Sequence, residues 1–155
     1  MTNQNITSFS EKEIVTIRVI KAGQALVFRA WAEPEHLRIW WGPRGFTNTF
    51  HEFDFRVGGR WRFVMHGPEK GNYVNECEFI HIQKPYLIEW RRHTNPLFHV
   101  SAAFEKVSEH ETRVVFRQIF ETAEECEKIK RYTVGKNDEV FDRLEEELLK
   151  MKGNE

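Results

Sequence analysis

The sequence predicts an α+β domain in which an antiparallel sheet of six to seven strands curves around a long C-terminal helix, with two short helices after the first strand. Three observations carry that expectation. From Thr47 to Ile119 apolar residues recur with period two and are broken at short intervals by turn residues, the pattern of an antiparallel meander. After Thr122 the period becomes helical, with Cys126, Ile129, Thr133, Val140, Leu144 and Leu148 on one stripe and Phe141 beside it. Between these regions and the first strand stands Ile39-Trp40-Trp41-Gly42-Pro43-Arg44-Gly45-Phe46. Adjacent indoles point in different directions and each needs its own apolar contact, which a curved wall around a cavity supplies more readily than a flat core.

Residues 1–12 are rich in Asn, Thr and Ser and are expected to form a disordered, frayed segment, leaving one domain over 13–151. Glu13 to Ile20 alternates Ile14, Thr16, Arg18 and Ile20 with Val15, Ile17 and Val19, a β-branched pattern that reads as a strand. Lys21-Ala22-Gly23 is a turn. Gln24 to Ala32 has helical spacing, with Val27, Phe28 and Trp31 on one face. Pro34 stops that helix and suits the first turn of a second, which runs to Trp41 and ends at Gly42-Pro43.

In the meander, Phe53 and Phe55 alternate with Glu52, Asp54 and Arg56. After Gly58-Gly59, the residues Trp61, Phe63 and Met65 alternate with Arg60, Arg62 and Val64. Tyr73 to Ile82, Leu87 to His93, Phe98 to Glu105 and Thr112 to Ile119 supply the remaining strands, and the charged alternate positions give the sheet one wet and one dry face. Thr122 and Glu125 fit a capping box. Glu124/Lys128, Glu127/Arg131, Glu139/Arg143 and Glu146/Lys150 are spaced for i,i+4 pairs. Thr133-Val134-Gly135 is weak helix material and predicts a kink or break. The dry face needs a cover, and this amphipathic segment alone is long enough.

The 155 residues suit one domain that buries roughly 70% of the surface its unfolded chain would expose. Aromatic residues make up 14% of the chain, led by thirteen Phe and five Trp. Lys and Arg number 23 against 24 Asp and Glu, so no global field draws the chain to nucleic acid or to an anionic membrane. The N-terminus lacks the pattern of a signal peptide, and no apolar run approaches the roughly 20 residues of a membrane span. Cys77 and Cys126 form no CxxC pair and are expected to be reduced. The expected location is the cytoplasm.

Motifs of chemistry are scarce. The seven histidines, at 36, 51, 66, 81, 93, 99 and 110, show no HxH, HxxxH or HExxH spacing, so neither a metal nor a cofactor is expected. There is no GxSxG, and Ser101 sits in an ordinary strand pattern. Glu76 and Glu78 flank Cys77 and would raise its pKa. Glu52, Asp54 and Arg56 share a strand face and read as a solvated ladder, not an acid–base pair. Arg56, Arg60, Arg62, Arg91, Arg92, Arg113 and Arg117 suggest a basic strip on the sheet, but interleaved acids disfavour a nucleic-acid platform.

Several segments resemble, in order and spacing, the helix-grip proteins of the SRPBCC superfamily, also called START-like or birch-pollen-allergen-like. Within it, the chain is most similar to the activator of heat-shock-protein-90 ATPase family. The segments are Phe28-Arg29-Ala30-Trp31, Pro34-Glu35-His36-Leu37, Trp40 to Phe46, Asp54 to Trp61, Met65-His66-Gly67-Pro68, Pro85 to Trp90 and Asp142-Arg143-Leu144. The resemblance implies a helix-grip fold with a central cavity. Family members often carry Gly-Trp in the last helix, with the Trp turned toward that cavity, where this chain has Lys136-Asn137. An amide in place of an indole implies a larger or more polar pocket.

Taken singly, most of the aromatics fit an ordinary core; taken together they suggest a lined cavity. The expected lining is Phe28, Trp31, Trp40 and Trp41 from the short helices, Phe46, Phe53, Trp61, Phe63, Met65, Phe79 and Trp90 from the sheet region, and Asn137 and Phe141 from the last helix. The leading expectation is non-enzymatic binding of a small hydrophobic or amphipathic molecule, by a monomer or weak homodimer. A co-chaperone-like protein-interaction domain, associated with stress response, is the alternative implied by the resemblance. An aromatase-, cyclase- or hydrolase-type enzyme of the same superfamily is a further one.

Overall fold

The computed structural model describes residues 6–9, 11–133 and 135–153. Eight antiparallel strands form one curved sheet: β1 Ile6–Phe9, β2 Glu13–Ile20, β3 Thr47–Phe53, β4 Arg60–His66, β5 Asn72–Gln83, β6 Leu87–Arg92, β7 Phe98–Ser108 and β8 Glu111–Phe120. Their order is β1-β2-β8-β7-β6-β5-β4-β3. The meander from β3 to β8 therefore ends against β2, and helices α1 (Gln24–Ala32) and α2 (Pro34–Trp40) carry the chain from β2 to the far edge. All seven expected strands form. The eighth, β1, corrects the expectation of a frayed segment over 1–12: residues 6–9 pair with Ile14 to Ile17 of β2. Residues 1–5 and 10 of that segment lie outside the described residues.

The C-terminal segment is two helices, α3 Ala123–Thr133 and α4 Lys136–Gly153. The break falls where the sequence predicts it, and Gly135 takes a φ of +78° there, a left-handed conformation that costs little only for Gly. Thr122 Oγ1 accepts from the Glu125 backbone N–H at 3.1 Å, capping the start of α3. The break re-phases the expected stripe. Cys126 joins a small cluster with Ile14 and Phe120, while Phe141, Leu144, Leu148 and Met151 of α4 enter the main core.

The buried face of β2 is Ile14, Thr16, Arg18 and Ile20, which includes two polar residues. α4 supplies their partners. Arg18 Nη1 donates to Asp142 Oδ1 at 2.8 Å and to Glu145 Oε1, and Nη2 donates to the Asp138 carbonyl at 3.3 Å. Two of the expected helix-surface pairs are replaced by longer-range contacts. Arg143 donates to the Ile39, Gly42 and Pro43 carbonyls, and Glu146 takes the Arg44 guanidinium in a two-pronged pair. With Asn48 Nδ2 on the Arg38 and Trp41 carbonyls, these bonds satisfy carbonyls that the end of α2 would leave open. Glu124–Lys128 forms at 3.9 Å as expected, and Glu127 pairs with Lys130.

A bulge between Phe50 and Glu52 in β3 puts Phe50 and Phe53 on the same face, their rings stacked 5.9 Å apart. The turn that follows is tight. Gly58 N–H donates to the Phe79 carbonyl, the Gly59 carbonyl accepts from Phe79 N–H, and a Cβ on Gly59 would stand 2.0 Å from the Asp54 carbonyl oxygen. Gly59→Ala is expected to destabilise the fold by about 1–3 kcal/mol or more, the range of overpacking that moves backbone. Gly58 has φ +85° with open space around its Cβ position, so Gly58→Ala should cost only about 1–2 kcal/mol, the left-handed penalty. Urea denaturation of the two variants checks the order.

Candidate functional site

A cavity of ≈ 300 Å³ opens between the sheet, the α2–β3 loop and the α3–α4 junction. Each wall has a local cause. Gly42, at φ +103°, turns the chain after α2 so that Trp41, Pro43 and Phe46 close one side. The alternation of β4 to β8 turns Phe63, Met65, Cys77, Trp90, Val100 and Phe116 inward. The helix break places Tyr132 and Thr133 from one helix and Lys136, Asn137 and Val140 from the next along the remaining side.

Of the thirteen residues expected to line a cavity, Trp41, Phe46, Phe63, Met65, Trp90 and Asn137 do so. Phe28, Trp31, Trp40, Phe53, Trp61, Phe79 and Phe141 pack behind that wall as core. Trp31 is the centre of this backing layer, with ring centroids 4.8 Å from Trp40, 6.0 Å from Trp41, 5.8 Å from Phe116 and 6.5 Å from Phe141. The indole N–H groups of Trp31 and Trp61 find no acceptor among the described residues and are ringed by aromatic side chains. The adjacent tryptophans divide as their geometry requires: Trp40 is fully buried and donates from Nε1 to the Ala30 carbonyl at 3.0 Å, while Trp41 faces the cavity.

Asn137 lies in the first turn of α4 yet is only 9% exposed. Its Nδ2 donates to Thr16 Oγ1 at 3.0 Å and to Gln118 Oε1 at 3.3 Å. Both amide protons are thereby used, and its Oδ1 accepts no hydrogen bond from the described residues. Gln118, Asn75 and Arg92 also line the cavity and escaped the sequence-level expectation. A signal for them existed. Each interrupts an otherwise apolar inward parity: Asn75 before Cys77 and Phe79, Gln118 between Phe116 and Phe120, Arg92 after Ile88 and Trp90. Arg92 thus faces inward and does not belong to the basic strip suggested for the sheet surface.

Cys77 is opposite Arg92 in the β5–β6 register. Burial pushes its thiol up to about 12, with Arg92 pulling the other way and Glu76 adding to the rise. Burial likewise pulls the Arg92 guanidinium below its ordinary value. The thiol is therefore protonated at neutral pH and a poor nucleophile. Neither a carboxylate nor a histidine lines the cavity among the described residues. Glu33, Glu35 and His36 lie close enough to share an ion, but Arg29 takes both oxygens of Glu33 and His36 Nδ1 is 2.7 Å from the buried Glu147.

A helix-capped antiparallel sheet with an aromatic cavity defines the helix-grip class. The family model described as activator of Hsp90 ATPase homolog 1-like protein matches residues 21–149, and the chain belongs to that family. No curated protein matches the sequence. Among solved structures, a protein from Arthrobacter aurescens is similar at 22% identity and TM-score 0.85, over 94% of this chain and 91% of that one. A Nitrosomonas europaea protein matches at 21% identity and TM-score 0.85, over 94% and 99%. The AHSA1 protein of Silicibacter pomeroyi matches at 18% identity and TM-score 0.71, over 88% and 97%. At these identities the likeness establishes the fold.

Two outcomes follow from this geometry. Trp40→Ala should cost about 3–5 kcal/mol, whereas Trp41→Ala should cost clearly less because one side of its ring already faces open space; chemical denaturation compares them. Iodoacetamide at pH 8 should leave Cys77 unmodified in the native protein and label it readily in urea, as read by mass spectrometry.

Proposed function

We propose that this protein is a binding protein for a small amphipathic molecule whose apolar body fills the cavity. The observation that carries the reading is the composition of the wall: aromatic surface from Trp41, Trp90, Phe63 and Phe116, interrupted by the few polar groups Asn75, Arg92, Gln118 and Asn137. Such pockets bind by removing apolar area from water, at about 25 cal/mol per Å², and orient the guest through a small number of hydrogen bonds. The protonated Cys77 and the acid-free wall favour binding over acid–base or nucleophilic turnover. Membership of the family supports a ligand-binding or co-chaperone-like domain in general, and the lined cavity favours the ligand.

The neutral dye N-phenyl-1-naphthylamine tests the reading. It should bind the native protein with a rise in fluorescence, and Asn137→Trp, which puts a ring into the cavity, should weaken that binding at least about tenfold. The same variant removes the partner of buried Thr16, a loss of about 1–3 kcal/mol, so its folding is checked by circular dichroism. Native mass spectrometry of freshly purified protein should show a co-purifying small molecule. Absence of dye binding by the folded wild type would overturn the reading.

A further inference from the structure

We propose that the molecule taken up by this cavity is an anion: an apolar body carrying one oxyanion headgroup, a carboxylate in the simplest case, docked on Arg92. The inference rests on the binding reading above and adds the charge of the guest.

Arg92 closes β6 on the same face as Ile88 and Trp90. Its guanidinium lies over the Phe98 ring at 5.4 Å. Nε donates to the Pro96 carbonyl at 2.9 Å and Nη2 to the Asn95 carbonyl at 3.1 Å. Those carbonyls orient the guanidinium without neutralising it. Nη1 has no partner among the described residues, and none of their carboxylates lies within ion-pair distance of the group. The more deeply buried Arg18 shows the contrast, with Asp142 and Glu145 both on its Nη1. Elsewhere along the wall Lys136 is the one other cation, half-exposed and 3.9 Å from Glu139, and no Asp or Glu lines the cavity among the described residues. This sign bias stands out in a chain whose acids outnumber its bases, 24 to 23.

The physical argument is one of desolvation. While the cavity holds water, the free edge of Arg92 is hydrated. A neutral apolar guest would expel that water and leave a half-buried cation without counter-charge, a costly state. A guest with an oxyanion replaces the lost hydration by a charge-assisted hydrogen bond. Gln118, Asn75 and Asn137 are neutral and impose no charge of their own.

The test compares two probes with the same phenylaminonaphthalene body, neutral N-phenyl-1-naphthylamine and the sulfonate 1-anilinonaphthalene-8-sulfonate, titrated into the full chain. Arg92→Gln should lower affinity for the sulfonate about tenfold relative to the neutral dye, as expected for a lost hydrogen bond to a charged group. Lys136→Gln should lower the same ratio by a smaller factor. If Arg92 serves only to pin the β6–β7 loop, Arg92→Gln shifts the melting temperature and leaves the ratio unchanged, and the proposal is overturned. Should that variant fail to fold, the wild type decides: the sulfonate must displace bound neutral dye, and failure to do so removes the anion site while the cavity reading stands. If the neutral dye itself does not bind, the cavity reading falls first and this inference with it.

Discussion

Arg18 is an arginine with almost no access to solvent on the inner face of β2, and a charge in that position must be met by opposite charge. Asp142 and Glu145 meet it from one side of α4, and the Asp138 carbonyl adds a third acceptor. Breaking such a pair by removing one partner typically costs about 3–5 kcal/mol, so the seam holds α4 in one register against the sheet. That register has consequences along the whole helix. It brings Arg143 to the carbonyls at the end of α2, Asn137 to Thr16, and Phe141 to Trp31 and Phe116. The position of the last helix, and with it one wall of the cavity, thus depends on a polar contact inside an otherwise aromatic domain.

The aromatic residues do two different jobs. A backing layer centred on Trp31 is closed and supplies the packing that a chain this size needs. The layer in front, with Trp41, Trp90, Phe63 and Phe116, packs on that core and also lines the cavity. Rings have few rotatable bonds, so a wall built from them keeps its shape with less entropy lost than one built from long aliphatic chains. The left-handed glycine after α2 turns Trp41 toward the cavity, and the bulge in β3 sets Phe50 and Phe53 on one face of the core; the tight Gly58-Gly59 turn, bonded to Phe79 on both sides, ties β3 and β4 to β5.

The family model spans the residues that build this frame. Within it, Lys136 and Asn137 at the start of α4 put polar groups on the cavity. Asn137 is held by Thr16 and Gln118, so the amide belongs to a network shared by α4, β2 and β8. Together with Arg92 and Asn75, it supplies the polar part of the cavity lining. A small change of lining on a constant frame is how one fold comes to serve different guests.

The local patterns were enough for the element list, because period two, period 3.6 and the turn residues act over a few positions. They placed seven strands, two short helices and the break at Gly135, and the Trp40-Trp41 pair pointed to a cavity wall. β1 was missed because four polar-flanked residues carry little periodic signal; pairing with β2 stabilises them. The inner face of β2 was equally ambiguous. Its alternation offered Val15, Ile17 and Val19 as the obvious apolar side, yet the fold buried Thr16 and Arg18, since α4 brings their partners from more than a hundred residues away. Seven of the thirteen expected lining residues went to the core for a related reason. Sequence determines which rings are large and inward-facing, but whether a ring meets another ring or open space depends on where the far elements stop. Arg92, Gln118 and Asn75 were legible only as polar interruptions of apolar faces. That all three open on one cavity, with no acid among the described residues of its lining, was decided by tertiary structure, because only cross-strand register and the helix break bring them to the same wall.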